Sequence, residues 1–234
     1  RFIAVKFYSG IILTNDDVLS WYVKRFRVKQ KFLFFPIIQK DQDFRLLLEN
    51  ALPVSKILED TYHLEGRQVL LFVGRLIDIK NLFFLLDALA LVVNRYPKVI
   101  LLFVGDGDQR VALERHAERN GLADHVIFAG KKQGKDLYAC YNVGQIFVLP
   151  SYYERFGAVV NEALLAGAAC LVNPLENGAI FDSHSKDGLV EQLTVALDMT
   201  PVLSELRLKE NKMLNSYDTY FANFMNRLDD LLNK

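Results

Sequence analysis

Residues 69–108 read VLLFVGRLIDIKNLFFLLDALALVVNRYPKVILLFVGDGD, and their pattern decides the fold. Val69 to Val73 is a short, unbroken apolar run closed by Gly74, the signature of a strand buried on both faces. Leu82 to Val93 carries its apolar residues at helical spacing. Lys98 to Val104 is a second apolar run, again closed by a glycine. Two buried strands joined through a helix with short loops make one strand–helix–strand unit, the building block of a parallel sheet.

The same unit repeats downstream. Gln109 to Asn120 reads as a charged amphipathic helix that Gly121 ends. His125 to Ala129 (HVIFA) is a third strand closed by Gly130, followed by a short helix over Asp136 to Asn142. Gly144 to Pro150 (GQIFVLP) is a fourth strand, Phe156 to Ala166 a helix, and Ala169 to Val172 a fifth strand. At least four strand–helix alternations predict an α/β fold with a Rossmann-like, doubly wound parallel sheet. Ligands of such sheets bind at the carboxyl ends of the strands. The loops at Gly74, Gly105, Gly130 and Ser151 are therefore expected to share one rim.

The flanks differ from this core. Residues 1–40 include a candidate strand over Gly10 to Thr14, a candidate helix over Asp16 to Lys24 and the run FLFFP ending at Pro36. They read as the tail of another domain plus a linker, and a chain opening at Arg1 suggests sequence upstream. Residues 41–200 form the expected α/β domain. Residues 201–234 form a helical segment, with Tyr217, Tyr220, Phe221, Phe224, Leu228 and Leu231 as an apolar stripe that favours packing over a cofactor box.

Composition narrows the function. The 234 residues carry 28 basic and 28 acidic side chains, for a formal net charge of zero, so no bulk attraction to nucleic acid is expected. The basic run KRFRVKQK, Lys24 to Lys31, reads as a solvated face, with a peripheral membrane or partner contact as the alternative. Cys140 and Cys170 have no metal-ligand spacing and read as small core residues in a reducing, cytoplasmic compartment. None of the four histidines pairs with Ser, Cys or an acid at a catalytic spacing, and Asp106 and Asp108 lack further carboxylates, so no metal is expected.

The rim loops hold the candidate site. Arg75 and Lys80 in GRLIDIKN stand between a strand end and a helix start, where two cations beside free helix N–H groups suit a diphosphate; they also read as plain loop cations. GDGD lacks the third glycine of the dinucleotide fingerprint, which counts against a nicotinamide dehydrogenase, and Gly105 and Gly107 read as a tight turn with close backbone approach. Gly130 and Lys131 offer exposed backbone and a cation, suited to a flat base or to an ordinary surface turn. The stretch SYYERFGAVVNEALLAG, Ser151 to Gly167, holds two acids eight positions apart. Glu154 lies ahead of Gly157, where a helix begins. Glu162 lies inside that helix among Val160, Ala163 and Leu164, and a carboxylate there needs donors. Sugar hydroxyls would serve, as would backbone N–H groups or Arg155.

Taken together, LLFVGRLIDIKNLFFLLDAL, LLFVGDGD, VIFAGKK and SYYERFGAVVNEALLAG resemble, in order and spacing, the donor-binding domain of retaining glycosyltransferases of the GT-B fold (glycosyl transferases group 1). The resemblance covers roughly Val69 to Leu197, and Glu154 and Glu162 match the family's E-x7-E pair. It implies the C-terminal half of a GT-B fold and a hexosyl transfer from a nucleoside-diphosphate sugar to a saccharide or lipid-linked saccharide, as in capsule or lipopolysaccharide synthesis, without a metal. By the same resemblance, Arg75 and Lys80 would hold the diphosphate, and Gly74, Gly130 and Lys131 would line the nucleotide. Glu154 with the N–H groups of Phe156, Gly157 and Ala158 would hold the donor sugar, and Glu162 the ribose. Residues 1–40 resemble the end of the acceptor-binding domain and its linker; with the rest of that domain missing, the chain alone is expected to bind donor without transferring it. After Gly167 the chain runs AACLVNPLENGAIFD, reaching the family's NGxxFD pattern with a shortened loop. A non-catalytic nucleotide-sugar-binding module and a GT-B sugar-nucleotide epimerase are the rival readings.

Overall fold

The computed structural model describes residues 40–154, 157–172 and 185–201, with residues 10–13, 31–34, 179–180, 221–222, 224–226 and 228. The chain divides into two compact units, Arg1–Asp41 with Asn215–Lys234, and Gln42–Leu214.

In the first unit, β1 (Gly10–Leu13) pairs in parallel with β2 (Lys31–Phe34), Gly10 opposite Lys31 and Leu13 opposite Phe34. The helix expected over Asp16 to Lys24 and the basic run as far as Gln30 lie outside the described residues. Residues 221–222, 224–226 and 228 are helical. Phe221 of the expected apolar stripe is 43% exposed, whereas Phe224 and Leu228 are half-buried; Tyr217, Tyr220 and Leu231 lie outside the described residues. Helical spacing tells which residues share a face, and burial depends on what meets that face.

The second unit is organised by its sheet. Six strands, β3 (Gln68–Val73), β4 (Val99–Val104), β5 (Val126–Gly130), β6 (Ile146–Leu149), β7 (Ala169–Val172) and β8 (Ala179–Ile180), lie in the order β5-β4-β3-β6-β7-β8, all parallel. The chain moves outward from β3 to β5, returns to the far side of β3 and moves out again. Right-handed crossovers then put α3 (Leu82–Val92) and α4 (Arg110–Arg119) on one face, and α5 (Lys135–Val143) and α6 (Ala158–Leu165) on the other. Covered on both faces, the central strands can be apolar throughout. Leu70, Leu71, Phe72, Leu101, Leu102, Phe103 and Phe147 have no exposed surface, and each such side chain contributes about 1.5–3 kcal/mol of burial. Phe72, Phe103 and Phe128 continue the packing from strand to strand, with centroids 5.7 and 5.0 Å apart.

Among the described residues, three further helices flank the sheet: α1 (Asp41–Asn50), α2 (Leu52–Tyr62) and α7 (Lys186–Asp198). None of the three was read as a helix from the sequence, although Leu189, Leu193, Ala196 and Leu197 give α7 a helical stripe. In α1 only Phe44 and Leu48 are buried while Leu46 and Leu47 are exposed, and in α2 Ser55 is buried while Ile57 is exposed, so no clean apolar stripe marks either helix. On the other side, α7 packs beside α3 and is tied down by polar contacts. Tyr96 donates to Asp198 at 2.7 Å, and Gln68 Nε2 to the Leu197 carbonyl at 2.9 Å. Asp87 of α3 joins three helices, with one oxygen 2.6 Å from His116 Nε2 of α4 and the other 3.0 Å from Lys186 Nζ of α7. Burial works to raise the Asp87 carboxyl, but the hydrogen bonds and charges of His116 and Lys186 outweigh it and hold the group below the ordinary carboxylate range.

The rim is closed by backbone. Gly74 N–H donates to the Val104 carbonyl, Gly105 N–H to the Gly130 carbonyl, and Leu76 N–H to the Asp106 carbonyl. Gly105 and Gly107 permit this. A Cβ on Gly105 would stand 1.8 Å from the Gly74 carbonyl oxygen, and one on Gly107 2.3 Å from that of Leu76.

Two outcomes test these packing arguments. Gly105→Ala is expected to cost about 3 kcal/mol, against about 1–2 kcal/mol for Gly121→Ala, where φ is +70° but the space is open. Chemical denaturation of both variants decides it, since equal losses would mean that the close approach does not hold the rim. The Asp87 link should be pH-dependent with a definite sign. A depressed folded-state pKa gives stability that is present above the unfolded value of about 4 and lost as pH falls through the folded value. Asp87→Asn should therefore be less stable than the parent at pH 6, and the gap should close below about pH 4. A gap that stays constant across that range would contradict the network.

Candidate functional site

The site lies where the strand order reverses. β3 and β6 are neighbours in the sheet but their helices cover opposite faces, so the loops leaving them diverge and open a crevice at their carboxyl ends. The first of these loops, residues 74–81, carries Arg75 and Lys80. It turns through a single 3-10 turn, Asp78–Lys80, and Asn81 at φ +54° begins α3. Asn is among the residues that enter the left-handed region most readily. The loop after β6 runs Pro150 to Gly157. The two loops are joined, because Tyr152 N–H donates to the Ile79 carbonyl at 3.0 Å.

That junction brings Lys80 and Glu154 together as a direct ion pair between Nζ and Oε2. Their side chains are only 13% and 20% exposed. Two charges so withdrawn from water are tolerable because each neutralises the other. The sequence placed both residues on the rim but gave them separate tasks, and their direct pairing was not anticipated. Arg75 is exposed, and its side chain makes no hydrogen bond or ion pair among the described residues. It is therefore a cation available to an incoming anion.

Gly74 lies at the root of this loop and Gly130 at the end of β5, where Lys131 is exposed. Beside Gly130 stands Arg110, with Nη1 3.5 Å from the position a Cβ on that glycine would take. Arg110 Nε is bonded to Glu114 at 2.9 Å, and this contact raises the guanidinium above its ordinary value. The Gly130 strand end thus offers bare backbone with cations to either side.

On the opposite side of the crevice Gly157, at φ +56°, ψ +27°, turns the chain into α6, a conformation glycine adopts without a steric penalty. Ala158 is the first helical residue, and Phe156, with Arg155, lies outside the described residues. Glu162 sits in the second turn of α6, half-buried. Its Oε2 accepts a 2.6 Å hydrogen bond from the phenol of Tyr141 on α5. Tyr141 was missed by the sequence reading. It is one aromatic in a short helix whose partner lies 21 positions away, and no local pattern marks such a contact. Cys140 and Cys170 are core residues, both buried, with the Cys140 thiol pushed up to about 12 by desolvation.

Residues 55–213 match the family of glycosyl transferases group 1. A phosphatidyl-myo-inositol mannosyltransferase of Mycobacterium tuberculosis is 35% identical over 136 residues, covering 57% of this chain and 34% of that protein. A 2-deoxystreptamine glucosyltransferase of Streptomyces kanamyceticus is 28% identical over 171 residues, 68% of this chain and 44% of that protein. The chain thus spans between about a third and a half of the length of these curated relatives. Among solved structures, an Anabaena protein in complex with UDP and glucose superposes with a TM-score of 0.65 at 19% identity, covering 97% of this chain and 65% of that one.

The ion pair generates a test of its own. Lys80→Met alone should destabilise the unit by about 3 kcal/mol, since it strands a largely buried carboxylate. The double variant Lys80→Met, Glu154→Gln should recover much of that loss. Strictly additive losses in denaturation would show that the two side chains do not interact.

Proposed function

The chain belongs to the family of glycosyl transferases group 1, and from that premise we propose that it forms the donor-binding part of a retaining, metal-independent hexosyltransferase. The donor is a nucleoside-diphosphate sugar, and the acceptor a saccharide or lipid-linked saccharide on the cytoplasmic side of a membrane. The observation that carries the reading is the Lys80–Glu154 pair at the switch point of the sheet, with exposed Arg75 on the same loop. The names of the relatives support it. One is a glucosyltransferase, one is a mannosyltransferase named for the lipid phosphatidyl-myo-inositol, and the Anabaena protein is in complex with UDP and glucose. Among the described residues no helix is long and apolar enough to cross a membrane.

In this reading Arg75 and Lys80 take the diphosphate. The reaction breaks the bond between the anomeric carbon and the β-phosphate oxygen, so negative charge grows on the leaving diphosphate. Two cations fixed there before reaction stabilise that charge without reorganisation. Glu154 keeps Lys80 in position while the site is empty. When the donor arrives Lys80 turns to phosphate, and the released carboxylate accepts from the sugar hydroxyls, with the N–H groups at Gly157 and Ala158 beside it. Gly130 and Lys131 receive the base on bare backbone, and Glu162 accepts from the ribose diol.

Calorimetric titration with UDP, GDP and ADP and with their glucose and mannose forms tests the reading. At least one diphosphate should bind, and Arg75→Ala should weaken it by tenfold or more, about 1.5–3 kcal/mol for one charge-assisted contact. Glu162→Ala should weaken free diphosphate and nucleotide sugar alike. Glu154→Ala should spare the free diphosphate, for which Lys80 is then unencumbered, and weaken only the sugar-bearing ligand. Absence of binding across the panel would refute the function, and equal losses in both variants for both ligands would refute the division of labour.

A further inference from the structure

We propose that Tyr141 is the positioning residue of the nucleotide site, holding the Glu162 carboxylate in the orientation that lets it discriminate ribose from deoxyribose. The inference rests on the reading of Glu162 as the ribose acceptor and assigns the residue that makes this acceptor selective.

The geometry begins with an anchored phenol. Tyr141 has no exposed surface. Its ring meets Phe44 of α1 edge-on, with centroids 6.2 Å apart at 68°, and Phe44 in turn meets Tyr138 at 5.5 Å and 87°. Ala139, Cys140 and Val143 of the same helix are buried as well. Buried and in edge contact with Phe44, the ring is restrained, and its hydroxyl with it. A buried phenol also requires a hydrogen-bond partner, and Glu162 Oε2 supplies it at 2.6 Å. That length belongs to the charge-assisted class of O–H···O⁻ bonds.

The consequence falls on Glu162. A glutamate on a helix surface has three rotatable bonds and pays rotamer entropy for each geometry it is asked to hold. Here one carboxylate oxygen is tied to a restrained group. The carboxylate is therefore restrained before a nucleotide enters, and two adjacent hydroxyls meet it in a narrowed range of orientations. Pre-set acceptors discriminate between ligands because a ligand lacking one hydroxyl leaves the site's polar group unpaired. Burial first, and then the charge of Glu162, push the Tyr141 phenol well above its ordinary range, so it keeps its proton and remains a donor at every working pH. The arrangement is a lock rather than a switch.

A structural role alone would satisfy the phenol and stabilise the packing of α5 on α6, with no bearing on which sugar binds. Tyr141→Phe separates the two, since it removes the hydroxyl and keeps the ring. The experiment titrates the 234-residue protein with UDP and GDP, each as the ribonucleotide and as the 2′-deoxy form. The parent should prefer ribo over deoxy by about tenfold, the value of one hydroxyl–carboxylate contact. In Tyr141→Phe that preference should shrink to about two- to threefold, with the deoxy affinity nearly unchanged. Tyr141→Phe combined with Glu162→Ala should discriminate no less than Glu162→Ala alone, because the tyrosine acts only through the glutamate.

The outcomes are distinct. Nucleotide binding by the parent without any ribo preference would refute the ribose reading of Glu162, and the inference would fall with it. A parent that discriminates, with a Tyr141→Phe variant that discriminates equally well, would overturn the inference and leave the ribose reading standing. A variant that loses both forms in equal proportion, or that fails to fold, would mark the bond as purely structural and overturn the inference as well.

Discussion

Two glycines without side chains allow the loops of this sheet to touch. Gly105 and Gly107 bring the end of β4 against the backbone of Gly74 and Leu76 so closely that any Cβ would collide with a carbonyl. The approach lets three successive strand ends share hydrogen bonds, Gly74 to Val104, Gly105 to Gly130 and Leu76 to Asp106. Much of the rest follows from this constraint. The first loop, held from the β4 side, presents Lys80 toward β6, and the β6 loop is caught in turn by the bond from Tyr152 to Ile79. A rim assembled from main chain has little freedom to rearrange, which is what a site needs if its charges are to be in place before a ligand arrives.

The two acids of the site are held by donors of opposite character. Lys80 is a cation on a long, flexible side chain, and it meets Glu154 in a direct ion pair between two rim loops. Tyr141 is a buried neutral phenol in edge contact with Phe44, and it donates to Glu162 from within the core. One carboxylate therefore has a flexible loop cation as its partner and the other a packed phenol. That difference comes entirely from which neighbours the fold supplies.

Outside the crevice, polar contacts between helices do the fastening that the sheet core cannot. Asp87 draws His116 and Lys186 together from α4 and α7, and Tyr96 and Gln68 secure the carboxyl end of α7. These are half-exposed interactions worth little singly, but they link elements far apart in the chain. They hold the α3 face as one layer over strands whose own apolar packing is indifferent to helix register.

The alternating apolar runs and glycines from Val69 to Val172 determined by themselves the parallel sheet, the shared rim of its loops and the presence there of Arg75, Lys80, Glu154 and Glu162. Such features are legible because they are local: a buried strand, a helical stripe and a glycine turn each declare themselves within a dozen residues. The tertiary structure decided what was not local. It showed α1 and α2, whose apolar faces are blurred by exposed Leu46, Leu47 and Ile57, and it added β8 at the sheet edge as a two-residue strand too short to carry a pattern. It alone paired Lys80 with Glu154 across 74 positions and Tyr141 with Glu162 across 21. A carboxylate's partner is chosen by the crossing of helices and loops in space, and no periodicity along the chain encodes that crossing.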